Sequence, residues 1–163
     1  MTVKTKSCPE EELLPISTLV DLVFCPLRAA LVHLESLWED NIFTIDGTHL
    51  HQKTGLEHSV ETRGDMRIVR GLRLRSFRLG LSGIADVVEF HRATESPNEP
   101  NNETQGNVSL PGLPGRWRPF PVEYKRGRLR HETSFEVQLC AQAICLEEML
   151  ETSIPEGAIF YGK

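Results

Sequence analysis

Two short segments of the sequence carry residue types that could perform chemistry together. Residues 83–86 read Gly-Ile-Ala-Asp, and residues 121–125 read Pro-Val-Glu-Tyr-Lys. Both segments are apolar enough to be strands, and side chains alternate along a strand, so Glu123 and Lys125 should point to the same face. Asp86 on a neighbouring strand can meet them there. The sequence therefore predicts two carboxylates and one ammonium group at a single point.

This set of groups suits metal-dependent phosphodiester hydrolysis. Asp86 and Glu123 would hold a hard divalent cation, Mg²⁺ or Mn²⁺, which polarises a phosphate oxygen and lowers the pKa of a bound water. Lys125 would orient that water or offset charge that develops on the phosphate. The alternative is an ion pair between Glu123 and Lys125 on an exposed strand, with Asp86 as a turn residue. The Glu-x-Lys spacing alone is weak, and the apolar context favours the catalytic interpretation.

Two further polar residues could complete such a site. His51 lies four residues after Gly47 and could be a third metal ligand, because imidazole binds Mn²⁺ and other transition metals. His49 and His58 are rivals, and each could equally be an ordinary exposed histidine. Gln138 opens the face of a long apolar helix, with Gln142 one turn later. A glutamine there needs a partner, so it could contact the metal site or DNA, or it could equally face solvent.

The charge of the chain is concentrated in two windows. The net charge is −5, but residues 63–78 and 116–130 hold 12 of the 18 basic residues and two acids. Phosphate binding depends on a local basic surface, so the total does not exclude DNA. Two solvated arginine-rich surfaces with no ligand are the alternative. The second window supplies the predicted DNA-binding residues: Arg116, Arg118, Arg126, Arg128 and Arg130.

Periodicity and turn residues predict an α/β domain with an N-terminal helical segment. The expected helices and strands are, in order: a helix at 18–24 capped by Ser17, a second from Pro26 to about Leu37, a third at 47–58, a strand-rich stretch at 66–79, a strand at 81–90, a strand at 118–125, a long helix at 132–151 and a strand at 158–161. Cys140 and Cys145 fall within the long helix and are expected in the core.

The whole chain, residues 1–163, is expected to form one domain. Residues 1–14 are a polar lead-in, and residues 94–116 are a long loop rich in Pro and Asn. The chain stops one residue past an apolar strand-like run, so we expect it to be truncated at its C-terminus. No apolar run is long enough to span a membrane and no signal core follows the basic start, so we expect a cytoplasmic location.

The order of these motifs resembles the CRISPR-associated RecB-like exonuclease ("Cas-four") family of the PD-(D/E)XK nuclease superfamily. An early Cys-Pro-x-Arg segment begins at Cys25, and a Gly-x-x-x-His motif ends at His51. Gly-x-x-Asp ends at Asp86, Glu-x-Lys starts at Glu123, and a helix with Gln138 near its start follows. The motifs are weak singly and fairly specific in this order.

The resemblance implies a restriction-endonuclease-like core, in which helices flank a central mixed β-sheet. It implies a divalent-metal DNA exonuclease acting on single-stranded ends, and a role in CRISPR adaptation, where prespacer DNA is selected and trimmed for the integrase. It raises His51 to an expected metal ligand. Its members usually carry a four-iron–four-sulfur cluster, for which Cys25 would be one ligand.

The chain departs from this family at the cluster. No cysteine follows Cys145, so the other three ligands are missing, and we expect the cluster to be absent or incomplete here. Other functions stay open. The protein could recognise a DNA motif and bind the integrase with little cleavage of its own, or it could be a restriction or repair nuclease, or one directed at RNA, with the same core.

Overall fold

The computed structural model describes residues 7–37, 59–93 and 107–162, and all statements below concern these residues. The predicted helix at 47–58, with His51, and part of the 94–116 loop lie outside them. The helices are α1 (Ile16–Phe24), α2 (Pro26–His33) and α3 (Thr133–Leu150). The strands are β1 (Leu14–Pro15), β2 (Val60–Arg63), β3 (Met66–Ser76), β4 (Leu81–Arg92), β5 (Trp117–Arg126) and β6 (Ala158–Gly162).

The described strands form one mixed sheet in the order β2-β3-β4-β5-β6. Neighbours from β2 to β5 are antiparallel, whereas β5 and β6 are parallel and α3 connects them. A tight hairpin turn can join only antiparallel strands, so consecutive parallel strands need such a crossover. The predicted α/β architecture with a central mixed sheet is therefore confirmed.

The main core lies where α1 and α3 pack on one face of this sheet. Its most buried side chains come from β4, β5 and α3, among them Ala85, Val88, Trp117 and Leu146. Residues 85–88 are buried in succession, which indicates that both faces of β4 are covered there. Cys145 is fully buried in this core as predicted, but Cys140 is exposed, because it lies on the opposite side of α3.

The N-terminal helices differ from the sequence prediction in their ends. α1 begins at Ile16, directly after Pro15, and no side chain caps it, so the predicted cap at Ser17 is wrong. Ile16 is only 4% exposed, and its burial against the sheet fixes the start of the helix more strongly than a capping hydroxyl would. Pro26 begins α2 as predicted, but that helix ends at His33 rather than near Leu37.

The predicted polar lead-in is attached to the sheet along its described part. The backbone N–H of Cys8 donates to the Phe77 carbonyl at 2.8 Å, and that of Leu14 donates to the Gly80 carbonyl at 2.9 Å. β1 then pairs in parallel with residues 81–82 at the start of β4. A two-residue strand is too short to show periodicity, so no sequence pattern indicated this pairing.

Close backbone approach explains two glycines near the site. A Cβ at Gly83 would lie 2.9 Å from Ile16 Cδ1, so glycine lets α1 pack directly on β4. A Cβ at Gly157 would lie 2.9 Å from the Pro121 carbonyl oxygen and 3.2 Å from Leu139 Cδ1. Gly157 therefore lets the turn before β6 pack between β5 and α3.

We predict that Gly157→Ala lowers the free energy of unfolding by about 1–3 kcal/mol, because the added methyl meets backbone that cannot yield easily. Urea unfolding followed by circular dichroism measures this change. Gly162→Ala is the matched control in β6, since the nearest atom to its Cβ is 3.9 Å away. Equal stability of the two variants would contradict the packing argument.

Candidate active site

The site lies where β4 and β5 separate. Their antiparallel pairing runs from Arg92 and Trp117 to Val87 and Val122, which brings Asp86 and Glu123 next to each other. Beyond Val87 and Val122, the Asp86 side chain replaces the backbone pairing between the two strands. Its Oδ2 accepts a hydrogen bond from the Tyr124 backbone N–H at 2.9 Å. Asp86 is 6% exposed, so its carboxylate is buried at the point where β4 and β5 separate.

The β3–β4 pairing is also interrupted at Asp86. The ladder runs on both sides of it, through Arg70 with Val87 and Leu72 with Ala85, and Gly71 stands opposite Asp86. Gly71 has a φ of 63°, a left-handed conformation that glycine adopts without steric cost. Such local distortions re-aim side chains near functional sites. The backbone around Asp86 is thus irregular on both of its edges.

Glu123 lies at the centre of the site and has no solvent exposure. Its Oε1 accepts hydrogen bonds from Lys125 Nζ at 2.8 Å and from Gln138 Nε2 at 2.7 Å. Its Oε2 accepts one from Gln142 Nε2 at 2.6 Å. Hydrogen bonds to an ionised group are about twice as strong as neutral ones, so three of them hold this carboxylate in one orientation.

Lys125 is held by three neighbours. Besides Glu123, its Nζ donates to Gln138 Oε1 at 2.7 Å, and it lies 4.6 Å from the centroid of the Phe135 ring. An ammonium group has three donors, and the two oxygens use two of them. Phe135 is one helical turn before Gln138, so a single stretch of α3 fixes the position of this ammonium.

Burial is the main reason that the pKa of the Glu123 carboxyl lies above its ordinary value. The positive charge of Lys125 lowers the pKa, the negative charge of Asp86 raises it, and hydrogen bonds from Lys125 and Gln142 lower it without offsetting the burial. The positive charge of Lys125 therefore does not fully offset the burial of the Glu123 carboxylate. A bound cation would supply further positive charge.

The donor groups fit a divalent metal ion. Asp86 and Glu123 are hard oxygen donors, and a carboxylate has about four lone-pair positions, of which Glu123 uses three. Across residues 7–37, 59–93 and 107–162, no set of three or more His, Cys, Asp or Glu side chains comes together. The predicted third ligand, His51, lies outside the described residues.

One buried acceptor at the site is left without a partner. Gln142 is 1% exposed, and its Oε1 accepts no hydrogen bond from any described residue. An unsatisfied buried acceptor costs about 1–3 kcal/mol. Spacing alone did not decide whether this glutamine faced solvent or the site; the structure places it at the site. Phe135 was missed by sequence analysis, although its spacing of three residues from Gln138 could have indicated a shared helix face.

The five predicted DNA-binding arginines divide between the two ends of β5. Arg126 and Arg128 follow Lys125 along the chain, and the Arg130 guanidinium lies 5.1 Å from the Phe135 ring centroid. Arg116 and Arg118 lie at the other end of this ten-residue strand, roughly 30 Å away. Arg116 donates to the Asn107 carbonyl at 3.0 Å, so it also anchors the preceding loop.

Cys25 lies at the junction of α1 and α2 and is half-buried with a free thiol. The junction is fixed by Asp21, which accepts hydrogen bonds from Arg28 Nε and from His33 Nε2, both at 3.0 Å. The distance from Cys25 to any further cluster ligand is not defined by the described residues. The assignment of Cys25 to an iron–sulfur cluster therefore stays a prediction.

This combination defines a class of fold and site. A mixed sheet presents an aspartate on one strand and a Glu-x-Lys pair on the next, and a glutamine-bearing helix closes over them. It is a restriction-endonuclease-like α/β core. In the described residues, no helix is both long enough and apolar enough to cross a membrane.

Comparison with known proteins extends this assignment. No protein-family model matches the chain. Over 83% of its length, the chain is 32% identical to a "CRISPR-associated exonuclease Cas4/endonuclease Cas1 fusion" from Geobacter sulfurreducens, and it spans 22% of that relative's length. The chain is a Cas4-like CRISPR-associated protein.

Proposed function

We propose that this chain is a divalent-metal-dependent DNA exonuclease that acts on single-stranded ends. The observation that carries the proposal is the convergence of Asp86, Glu123, Lys125 and Gln138 on one buried point. Similarity to a protein whose name includes an exonuclease supports it.

Each residue has a distinct part in the proposed reaction. Asp86 and Glu123 would hold the metal ion, together with the predicted ligand His51. When bound, Mg²⁺ or Mn²⁺ would make hydroxide available from water near neutral pH and would polarise the phosphate. Gln138 orients Lys125, whose remaining donor would reach the phosphate or the attacking water. Arg126 and Arg128, next along the chain, would neutralise phosphates of the bound strand.

We further propose that the substrate is prespacer DNA, selected and trimmed for the CRISPR integrase. The relative from Geobacter joins an exonuclease and the endonuclease Cas1 in one polypeptide, as its name states. Such a fusion keeps the two parts at high effective concentration, which suits handover of a trimmed end. This substrate and this partner are inferred for our chain from that relative.

We predict that the protein shortens an end-labelled single-stranded DNA in Mn²⁺ or Mg²⁺ and that EDTA removes this activity. Denaturing gels with label at the 5′ or the 3′ end measure the shortening and its polarity. A duplex and an RNA of the same sequence are the controls for substrate choice. Equal shortening in EDTA would contradict the metal-dependent mechanism.

Adding the integrase to the same reactions tests the adaptation role. Trimming to a defined length only when the integrase is present would support prespacer processing. Tight DNA binding without shortening, in both the absence and the presence of the integrase, would instead favour the alternative that the protein recognises DNA and binds the integrase with little cleavage of its own.

A further inference from the structure

The side chain of Gln142 has one end in use and one end without a partner. Its Nε2 donates to Glu123 Oε2 at 2.6 Å, whereas its Oε1 is buried and finds no donor among the described residues. The side chain is 1% exposed, so bulk solvent does not reach it. Buried polar atoms in folded proteins nearly always have a partner, so a missing one indicates a group that binds there.

The orientation of this amide is determined by Glu123. A carboxylate that binds a metal ion is ionised and can only accept hydrogen bonds, so in the metal-bound site the NH₂ group of Gln142 must face Glu123 and the carbonyl must face away from it. Turning the amide by 180° would bring two oxygens together. The unpartnered acceptor is therefore a property of the site rather than a choice between two equivalent placements.

Gln138 and Gln142 lie one helical turn apart, and both donate to Glu123, but their carbonyl oxygens differ. The Gln138 carbonyl accepts from Lys125 Nζ at 2.7 Å, so both ends of that amide are in use. The Gln142 carbonyl lacks an equivalent cation or amide. The two glutamines thus form a pair in which one orients Lys125 and the other has an open acceptor beside the second oxygen of Glu123.

We propose that Gln142 is a positioning residue that accepts a hydrogen bond from a water molecule held beside Glu123 in the metal site. The inference rests on the proposed function, because it supposes that a metal ion binds at Asp86 and Glu123. A water that donates a hydrogen bond to the Gln142 carbonyl is held in one position, and the direction of its lone pairs is then set. Gln142 thereby acts through that water and does not touch the DNA.

The test compares Gln142→Met and Gln138→Met with the wild type. Methionine keeps the length of the side chain and removes its polar atoms. Both variants remove one donor to Glu123, but only Gln142→Met removes the unpartnered acceptor. Calorimetry measures the Kd for Mn²⁺, water-proton relaxation reports on water bound to Mn²⁺, and thermal melting in EDTA reports on the metal-free fold.

We expect Gln142→Met to weaken Mn²⁺ binding by about 10–100-fold, the effect usual for groups that orient metal ligands, with melting in EDTA close to that of the wild type. Water-proton relaxation should change in parallel. The loss of Mn²⁺ affinity in Gln138→Met should be clearly smaller. Equal losses in the two variants, or a Gln142→Met value within twofold of the wild type, would overturn the proposal.

A wild-type protein that binds no Mn²⁺ would contradict the proposed function instead, so the two failures are distinguishable. If Gln142→Met does not fold, a crystal structure of the wild type with Mn²⁺ decides the question. A water within about 3 Å of Gln142 Oε1 is the expected result. A protein donor in that place, or an Oε1 with no partner in the metal-loaded structure, would refute the role.

Discussion

Replacing Glu123 by glutamine lowers the rate of metal-dependent single-stranded DNA shortening by at least about 100-fold. The substitution preserves the shape of the side chain but removes the charge that a metal ion needs, and it disturbs the contact that holds Lys125. Single-turnover kinetics with labelled DNA and Mn²⁺ measure the loss. DNA affinity should stay within a few-fold, because Arg126 and Arg128 are unchanged.

The control for this prediction is the stability of the metal-free variant. The pKa of Glu123 is raised mainly by burial, so its ionised form at neutral pH costs folding free energy. The raised pKa means that this cost appears as pH rises through the ordinary carboxyl range and is complete above the folded-state pKa. In EDTA at pH 7, Glu123→Gln should therefore melt close to the wild type, because relief of the buried charge offsets the weaker hydrogen bonds that an amide accepts from Lys125, Gln138 and Gln142.

A matched variant completes the comparison. Glu136→Gln changes an exposed glutamate on the same helix, α3, and should leave the rate of DNA shortening unchanged. Cleavage by Glu123→Gln at the wild-type rate would exclude the proposed metal site. Loss of activity together with a large drop in melting temperature would show that Glu123 has a structural role instead.

Glu148→Gln is expected to lower the free energy of unfolding by about 1–3 kcal/mol at pH 7. From α3, the Glu148 carboxylate accepts hydrogen bonds from Ser76 Oγ, from the Phe77 backbone N–H at 2.9 Å and from that of Arg78 at 3.3 Å. These bonds tie the β3–β4 turn to α3. An amide can still accept from both turn N–H groups and donate to Ser76 Oγ, but it lacks the negative charge that makes such hydrogen bonds about twice as strong as neutral ones.

The pH dependence of this effect has a definite sign. Burial raises the pKa of Glu148, but the hydrogen bonds from Ser76, Arg78 and Phe77 outweigh it, and the pKa lies below its ordinary value of 4.5. A lowered pKa gives stability that is present above the ordinary value and is lost as pH falls through the folded-state value. The difference between wild type and Glu148→Gln should therefore shrink in acid.

Urea unfolding at a series of pH values from neutral to acidic measures this difference. Glu156→Gln, at an exposed position in the turn before β6, is the control and should behave like the wild type at every pH. If the difference in free energy of unfolding between the wild type and Glu148→Gln stays constant across the series, the charge of the Glu148 carboxylate does not contribute to stability.

Part of the site could be predicted because strand alternation is a strict geometric rule. Glu123 and Lys125 are two residues apart, so any strand containing them places both on one side, and the apolar run around Asp86 made it a strand residue. Gln138 was a candidate because a polar residue on an apolar helix face needs a partner, but its spacing left solvent exposure open. These inferences need only local sequence and the order of the elements.

Other features depend on contacts between distant segments, and local patterns do not encode them. The start of α1 follows from burial of Ile16 against Gly83, two residues that are 67 positions apart. The pairing of β1 with β4 likewise has no periodic signal. The five predicted DNA-binding arginines share one window of the sequence, whereas the ten-residue strand β5 separates Arg116 and Arg118 from the other three by about its own length.

The position of β1 has a consequence for the aspartate that ends the Gly-x-x-Asp motif. β3 occupies one edge of β4, so β1 and β5 share the other edge: β1 adjoins residues 81–82 and β5 adjoins residues 87–92. The motif at 83–86 fills the opening between them. Leu14 and Pro15 thus border the stretch of β4 that ends at Asp86, and a protein shortened past them would lose this pairing while keeping Asp86, Glu123 and Lys125.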